Sequence, residues 1–227
     1  MCNLYALTKG QQALRDLARA LELGAVADRL GNLPVLSGLY PDAEAPIIGL
    51  ARGDSPGPTI SLARWGMPSP AFALEGKSPG VKKLDRGITN IRNTASPHWR
   101  RWLGPAYRCL VPFTRFAEHV KTDAGFQPLW FAPADDAIAC FAGIATRWTG
   151  VRKKAEGEVT LTVFGFLTCE PNAEVAPQHP KAMPVILTDP ADMRRWLTAE
   201  WAQAKALQRP LPDGELEVLG LLGSGAI

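Results

Sequence analysis

The segment AIACFAGIATRWTGVRKKAEGEVTLTVFGFL, residues 137–167, decides how this chain is read as a fold. Residues 137–148 and 158–167 are runs rich in apolar, β-branched and aromatic side chains. Between them, residues 151–157 carry Arg152, Lys153, Lys154 and Glu156 and end in Gly157. Two such runs joined by a short charged connection read as an antiparallel hairpin. Arg152-Lys153-Lys154 is then expected to be its solvated tip. Upstream, residues 107–111, 114–120 and 128–132 have the same character, with Lys121-Thr122-Asp123-Ala124-Gly125 as a turn, so neighbouring antiparallel strands are expected throughout this half. A last strand fits residues 215–222.

The first half is more irregular. After the apolar start Leu4-Tyr5-Ala6-Leu7, Thr8 is placed to cap a helix over residues 10–23, with Leu14, Leu17, Ala18 and Leu21 on one face. Strand candidates at 35–39 and 47–51 are separated by a turn that Pro41 and Pro46 bracket. Residues 59–65 alternate as a strand and stop at Gly66-Met67-Pro68. Residues 69–87 lack periodicity and read as a long loop, a kind that is usually functional or disordered. Ser96-Pro97 opens a short basic helix running to residue 103. Residues 171–177 suit another short helix, and Asp189 caps a long one over 190–207 whose core stripe is Met193, Trp196, Leu197 and Trp201. The expected fold is α+β: one domain over residues 1–227, built as a curved, mostly antiparallel sheet or open barrel with peripheral helices.

Composition narrows the classes. At 227 residues and 46% hydrophobic, the chain can bury one sizeable core. The balance of 25 basic against 22 acidic residues leaves only +3, so any nucleic-acid surface must come from local arrangement. No apolar run approaches the ~18–20 residues of a membrane span, and neither a basic leader nor a signal-type apolar stretch follows Met1; a cytoplasmic protein is expected. The four cysteines lack CxxC spacing, which argues against a metal site or disulfide framework. Cys109, Cys140 and Cys169 fall in apolar runs and read as buried filler.

The chemistry-bearing residues begin at Met1-Cys2. Methionine is normally trimmed before so small a residue, which would leave Cys2 with a free α-amine and a thiol on adjacent carbons. Such a 1,2-aminothiol can add to an aldehyde as an imine and then close to a thiazolidine, its amine and thiol having unperturbed pKa values of about 7.7–8.0 and 8.5. A small buried apolar side chain is the other role open to Cys2. Among three histidines, His179 lies in a Pro-rich loop that can project into a cleft, whereas His98 and His119 read as structural or solvated. Strand alternation puts Glu118 on the face of Thr114 and Phe116. It is therefore either a proton-transfer group with a raised pKa or the partner of a base such as Arg108. Asn90 and Arg92 share a face if extended, and suit a phosphate or an opened sugar. Arg86, Arg100, Arg101 and Lys181 extend a basic track, with Trp65 and Met67-Pro68 as its aromatic and apolar edge.

In their order these pieces resemble the SRAP (SOS response-associated peptidase) family, whose bacterial and vertebrate members shield abasic sites in single-stranded DNA. The resemblance rests on Met1-Cys2, Trp65-Gly66-Met67-Pro68, Asn90-Ile91-Arg92-Asn93-Thr94, Arg108-Cys109-Leu110-Val111-Pro112, Phe116-Ala117-Glu118-His119, Phe141-Ala142-Gly143-Ile144, and His179 ahead of Met183-Pro184. It implies that Cys2 is the nucleophile, that Asn90 holds the amino terminus and sugar, and that Glu118 and His179 move protons. It further implies DNA contacts at Arg92, Arg100, Thr168 and Lys181, and a strand-bending wedge of Pro41, Trp65 and Met67. Three departures from the family pattern are Asn3-Leu4 after Cys2, His119 behind the glutamate, and a four-residue step from His179 to Met183. The implied partner is abasic single-stranded DNA, bound by a monomer without cofactor or metal and nucleoid-associated when engaged. Two alternatives remain open: a cysteine peptidase or N-terminal-nucleophile amidase using Cys2, Glu118 and His179, and a single-strand binding module in which Cys2 is incidental.

Overall fold

A computed structural model of the chain describes residues 2–50, 57–76 and 83–221. In chain order its elements are β1 (Leu4–Leu7), α1 (Gln11–Ala20), β2 (Ala27–Asp28), β3 (Leu36–Leu39), β4 (Glu44–Leu50), β5 (Pro58–Trp65), β6 (Asn90–Ile91) and α2 (Pro97–Arg100). The second half contributes β7 (Arg108–Phe113), β8 (Arg115–Thr122), β9 (Gly125–Pro133), β10 (Ala139–Val151), β11 (Glu158–Cys169), β12 (Met183–Pro184), β13 (Ile186–Leu187), α3 (Pro190–Thr198), α4 (Trp201–Ala204) and β14 (Leu216–Leu221). The expected α+β class with a curved, mostly antiparallel sheet is what the chain forms.

The barrel is closed. Antiparallel pairings run β11-β10-β7-β4-β5, and β5 then returns to β11 in parallel, Val163 opposite Arg64 and Phe164 opposite Trp65. Closure removes the edges an open sheet would leave unpaired. A second, wholly antiparallel sheet runs β14-β9-β8-β1-β3.

Strand alternation sends Trp65, Phe113, Phe141, Phe164 and Phe166 to one face of the barrel wall. Tyr5, from the second sheet, enters among them at 5.1 Å from Trp65 and 5.6 Å from Phe141, and Phe113 stacks on Phe141 at 4.0 Å. All six rings are essentially inaccessible to solvent. This aromatic plug joins the two sheets into one core, each ring pair contributing about 0.5–1.5 kcal/mol beyond area burial.

Several local expectations are corrected. Thr8 does not cap α1, because its amide and hydroxyl each lie 3.0 Å from the Thr114 hydroxyl; Gly10 precedes the helix without a side-chain cap. Residues 171–177 form turns, not a helix: Asn172 Oδ1 accepts from Val175 N and its carbonyl from Ala176 N. The helix expected over 190–207 breaks at Ala199, whose φ/ψ of −71°/157° is extended. The Ala199 carbonyl accepts from the buried Arg108 guanidinium, which burial pushes down to about 10. Trp196, one turn earlier, donates to the carbonyls of Cys109 and Gly143, so the break docks α3 on β7 and β10.

Arg152 is not a solvated tip. Its side chain is buried and donates to the carbonyls of Gly66 and Asp85, and its guanidinium lies 4.7 Å from the centre of the Trp148 ring. Gly87, at φ +78°, passes so close that a Cβ there would collide with that guanidinium. The hairpin tip therefore clamps the segment leading from β5 toward β6. Of the residues expected to form one long loop, 77–82 lie outside the described residues; Ala71–Leu74 form a single 3-10 turn. Among the described residues no helix is long and apolar enough to cross a membrane.

Truncating the ring at the middle of the plug should be costly. Phe141→Ala is expected to lower unfolding free energy by about 3–5 kcal/mol in urea denaturation. A loss below about 1 kcal/mol would show that the plug is not the core's centre.

Candidate functional site

The site grows from the pairing of β1 with β8. Leu4 lies opposite Ala117 and Tyr5 opposite Phe116, so continuing the same register brings residues 2 and 3 beside 119 and 118. Cys2 is completely buried, and its thiol lies 3.5 Å from the Leu4 carbonyl oxygen. Glu118, two residues beyond buried Phe116, takes the inward position that alternation predicts and is 3% exposed.

Asn90 arrives from another direction. β6 lies parallel to β11, with Asn90 opposite Phe166 and Ile91 opposite Leu167. Gly165 permits this close approach, since a Cβ there would sit 3.1 Å from the Ile88 carbonyl oxygen. The Asn90 amide nitrogen donates to the Cys2 carbonyl at 2.8 Å and lies 2.9 Å from the Thr89 hydroxyl. Its carbonyl oxygen Oδ1 is buried without a hydrogen-bond partner. An open acceptor thus sits on the side chain that already holds the Cys2 backbone.

His179 closes the third side. Its Nδ1 lies 2.7 Å from the Ala182 carbonyl oxygen and 3.2 Å from the Ala182 amide, and its backbone amide donates to Val175 O, which fixes the ring's orientation. His179, Glu118, Asn3, His119 and Phe126 line one pocket of about 480 Å³. Arg108, offered by the sequence as a bland partner for Glu118, is instead committed to Ala199. His98 is structural as expected, its Nε2 at 2.8 Å from the Pro68 carbonyl oxygen.

Burial is the largest influence on the Glu118 carboxyl and raises its pKa, with the amino-terminal charge and His179 opposing. Burial also lifts the Cys2 thiol well above the usual thiol range, and the Glu118 charge adds to that rise. Burial thus shifts both groups toward their uncharged forms. Among the described residues no group of three or more His, Cys, Asp or Glu is placed to hold a metal ion.

Several of the residues proposed to touch DNA are placed otherwise. Trp65 and Met67 are buried, so neither presents a face for stacking. Trp65 instead donates from Nε1 to Thr89 O at 3.2 Å, while Met67 and Ile88 exchange backbone hydrogen bonds. Both brace the Thr89-Asn90 segment from behind. Thr168 is also buried, its hydroxyl without a partner and its carbonyl bonded by Gln208. Arg92 is half-exposed and its guanidinium pairs with Glu170 and the Cys169 carbonyl. Pro41, Arg100 and Lys181 are exposed, and Arg100 lines a second pocket with Thr94, Trp201 and Lys205.

Sequence reading missed Phe126; His119 is exposed, as expected, and lines the same pocket. Phe126 is 71% exposed at the mouth of the Glu118 pocket, opposite Lys121 in the β8-β9 hairpin. An aromatic placed directly after the turn glycine Gly125, on the partner of the strand bearing Glu118, was the available signal.

A family model described as SOS response associated peptidase (SRAP) matches residues 1–221. Among solved structures, a protein from Bordetella bronchiseptica superposes with a TM-score of 0.70 at 23% identity, covering 98% of this chain and 100% of its own. A Bacteroides thetaiotaomicron protein gives 0.68 at 20% identity, with 98% and 93% covered. A phage-related protein from Bordetella bronchiseptica gives 0.65 at 18%, with 98% and 95% covered. At these identities the structural likeness establishes the fold. No curated protein matches the chain.

The buried carboxyl makes a pH prediction. Because its folded pKa is raised, Glu118 contributes stability that is fully present below its unfolded pKa of about 4.3 and is lost as pH rises through the folded value. Cys2, His119, His179 and the amino terminus are the titratable groups acting on it or lining its pocket. Glu118→Gln should therefore melt above the native protein at pH 8, with the gap closing toward pH 4. Parallel melting curves across that range would count against a buried, raised carboxyl.

Proposed function

The chain belongs to the SOS response associated peptidase (SRAP) family, and from that premise we propose that it captures abasic sites in single-stranded DNA covalently through Cys2, once Met1 has been removed. The observation that carries this reading is the convergence at one pocket. The Asn90 amide holds the Cys2 carbonyl, while Glu118 and His179 line the adjoining cavity.

The steps balance as follows. The closed sugar opens when Glu118, as the neutral acid that burial favours, protonates the ring oxygen and frees the C1′ aldehyde. The Cys2 amine adds to that carbon; water leaves and an imine remains. The Cys2 sulfur then bonds to the imine carbon, the thiol proton passing to nitrogen through the carboxylate, and a thiazolidine results. His179 moves protons at the sugar oxygen and beside the phosphate. The buried Asn90 Oδ1 is an acceptor for the amine or for a sugar hydroxyl. The sugar's C1′–O4′ ring bond and the C1′ carbonyl C–O bond are broken, no phosphodiester is cut, and the net change is loss of one water.

Hydrolysis of amides by the same residues is the rival reading, and the electrostatics disfavour it. A cysteine peptidase depends on a thiolate, whereas burial shifts this thiol toward its neutral form. Imine formation needs only the amine. Exposed Lys181 and Arg100 would contact the strand, and Phe126 would stack beside the lesion. In this reading the protein works as a cytoplasmic monomer, at the nucleoid when bound.

Intact mass spectrometry after incubation with an oligonucleotide bearing one abasic site is the test. Loss of Met1 and a stable adduct at Cys2 equal to the summed masses less one water is expected, and Cys2→Ala should abolish the adduct that survives without borohydride while DNA affinity stays within about twofold. A mature Cys2 without adduct would overturn the proposal. Cys2→Ser is expected to give only an imine, detectable after borohydride trapping; a stable adduct without borohydride would remove the ring-closure step.

A further inference from the structure

The barrel has two unlike ends. Near β6 its interior is filled by the aromatic plug. Toward the other end the same inward positions hold small or polar residues: Gly49 on β4, Thr59 and Ser61 on β5, Cys109 on β7, Ala145 and Arg147 on β10, and Thr162 on β11. Inter-strand register brings them together, Gly49 pairing with both Thr59 and Cys109, and Arg147 with Thr162. Side chains of this size cannot fill the lumen, and they leave a cavity of about 370 Å³, within the range of small-molecule sites. Along β11, Thr162 is five residues from Leu167, which lies opposite Ile91, so the cavity is roughly 17 Å from the Cys2 end at ~3.3 Å per residue.

Its described lining is chemically one-sided. Arg29, Arg108 and Arg147 belong to it, the Arg108 guanidinium being committed to the Ala199 carbonyl; Thr59, Ser61 and Thr162 supply hydroxyls; and no aspartate or glutamate is among the described lining residues. Neither Arg29 nor Arg147 has an ion-pair partner among the described residues. The Thr59 hydroxyl is buried and has no hydrogen-bond partner among the described residues. A buried orphan hydroxyl is costly and calls for an occupant that can bond to it.

We infer that this lumen binds a small phosphate monoester, its phosphate held by Arg29 and Arg147 and by the Thr59, Ser61 and Thr162 hydroxyls. Two guanidinium charges match a dianion, whereas a monocarboxylate would neutralise only one. The apolar part of the lining, Ile47 and Leu50, can cover whatever the phosphate carries. This site is independent of Cys2 and requires no covalent step.

Isothermal titration calorimetry on the full chain tests it, with deoxyguanosine monophosphate as probe and inorganic phosphate, deoxyguanosine and acetate as comparisons. The monophosphate is expected to bind, inorganic phosphate to compete, and deoxyguanosine and acetate to give no heat. Arg147→Gln and Arg29→Gln, both at exposed positions, should each weaken binding at least tenfold, while Cys2→Ala leaves it unchanged. A short oligonucleotide with a 5′-phosphate separates the two sources of the group: binding that depends on Arg147 assigns the site to strand ends, and its absence assigns it to free nucleotides. No heat with either phosphate, or binding equally tight in both arginine variants, would overturn the inference.

Discussion

The parallel contact of Arg64 with Val163 and of Trp65 with Phe164 joins the two end strands of the barrel wall, and the position of the Cys2 end follows from it. Residues 64–65 and 163–164 are about a hundred positions apart, so their pairing closes a long loop whose entropy must be met by what it buries. It buries the aromatic plug. Trp65 stacks within 5.2 Å of Phe166, and Phe166 lies 4.5 Å from Phe141. Its indole nitrogen then fixes Thr89, and through Thr89 the neighbouring Asn90. A side chain that reads as a nucleic-acid platform is thus a support behind the residue that grips Cys2.

Arg152 acts on the same segment from outside. Its guanidinium satisfies the Gly66 and Asp85 carbonyls, which bracket the excursion of the chain between β5 and β6. Burying a guanidinium is unfavourable unless its donors are met. Here the two carbonyls take the terminal N–H groups, while Asp42, 3.7 Å from Nε, and the Trp148 face offset the charge without a hydrogen bond to Nε. The hairpin tip and the loop consequently determine each other's shape, and both hold the path by which Asn90 reaches the amino terminus.

The electrostatics of the Cys2 end follow from burial more than from pairing. Taking Glu118 out of water raises its pKa, and its proximity raises that of the Cys2 thiol in turn. A neutral acid next to a neutral thiol suits carbonyl chemistry in which an amine attacks first. The opposite end of the barrel holds Arg29 and Arg147, which have no carboxylate partner among the described residues, around a polar lumen. One closed wall therefore carries two environments of opposite character.

The sequence by itself determined the strand-rich second half, the α+β class and the chemical identity of Cys2, Asn90, Glu118 and His179. Alternation and residue chemistry are local properties, and they survive whatever the rest of the chain does. Glu118 was legible as inward-facing because Phe116, two residues earlier, had to be buried. Tertiary structure alone decided where Trp65, Met67, Thr168 and Arg152 point, since a tryptophan or arginine can face either side of a wall and only closure selects one. It also decided that the helix after Asp189 breaks at Ala199, where a buried guanidinium required a carbonyl that an unbroken helix would have kept for itself. Phe126 became part of the site for the same reason. Its place depends on which strand Glu118 pairs with, a long-range choice made by the packing of the whole core.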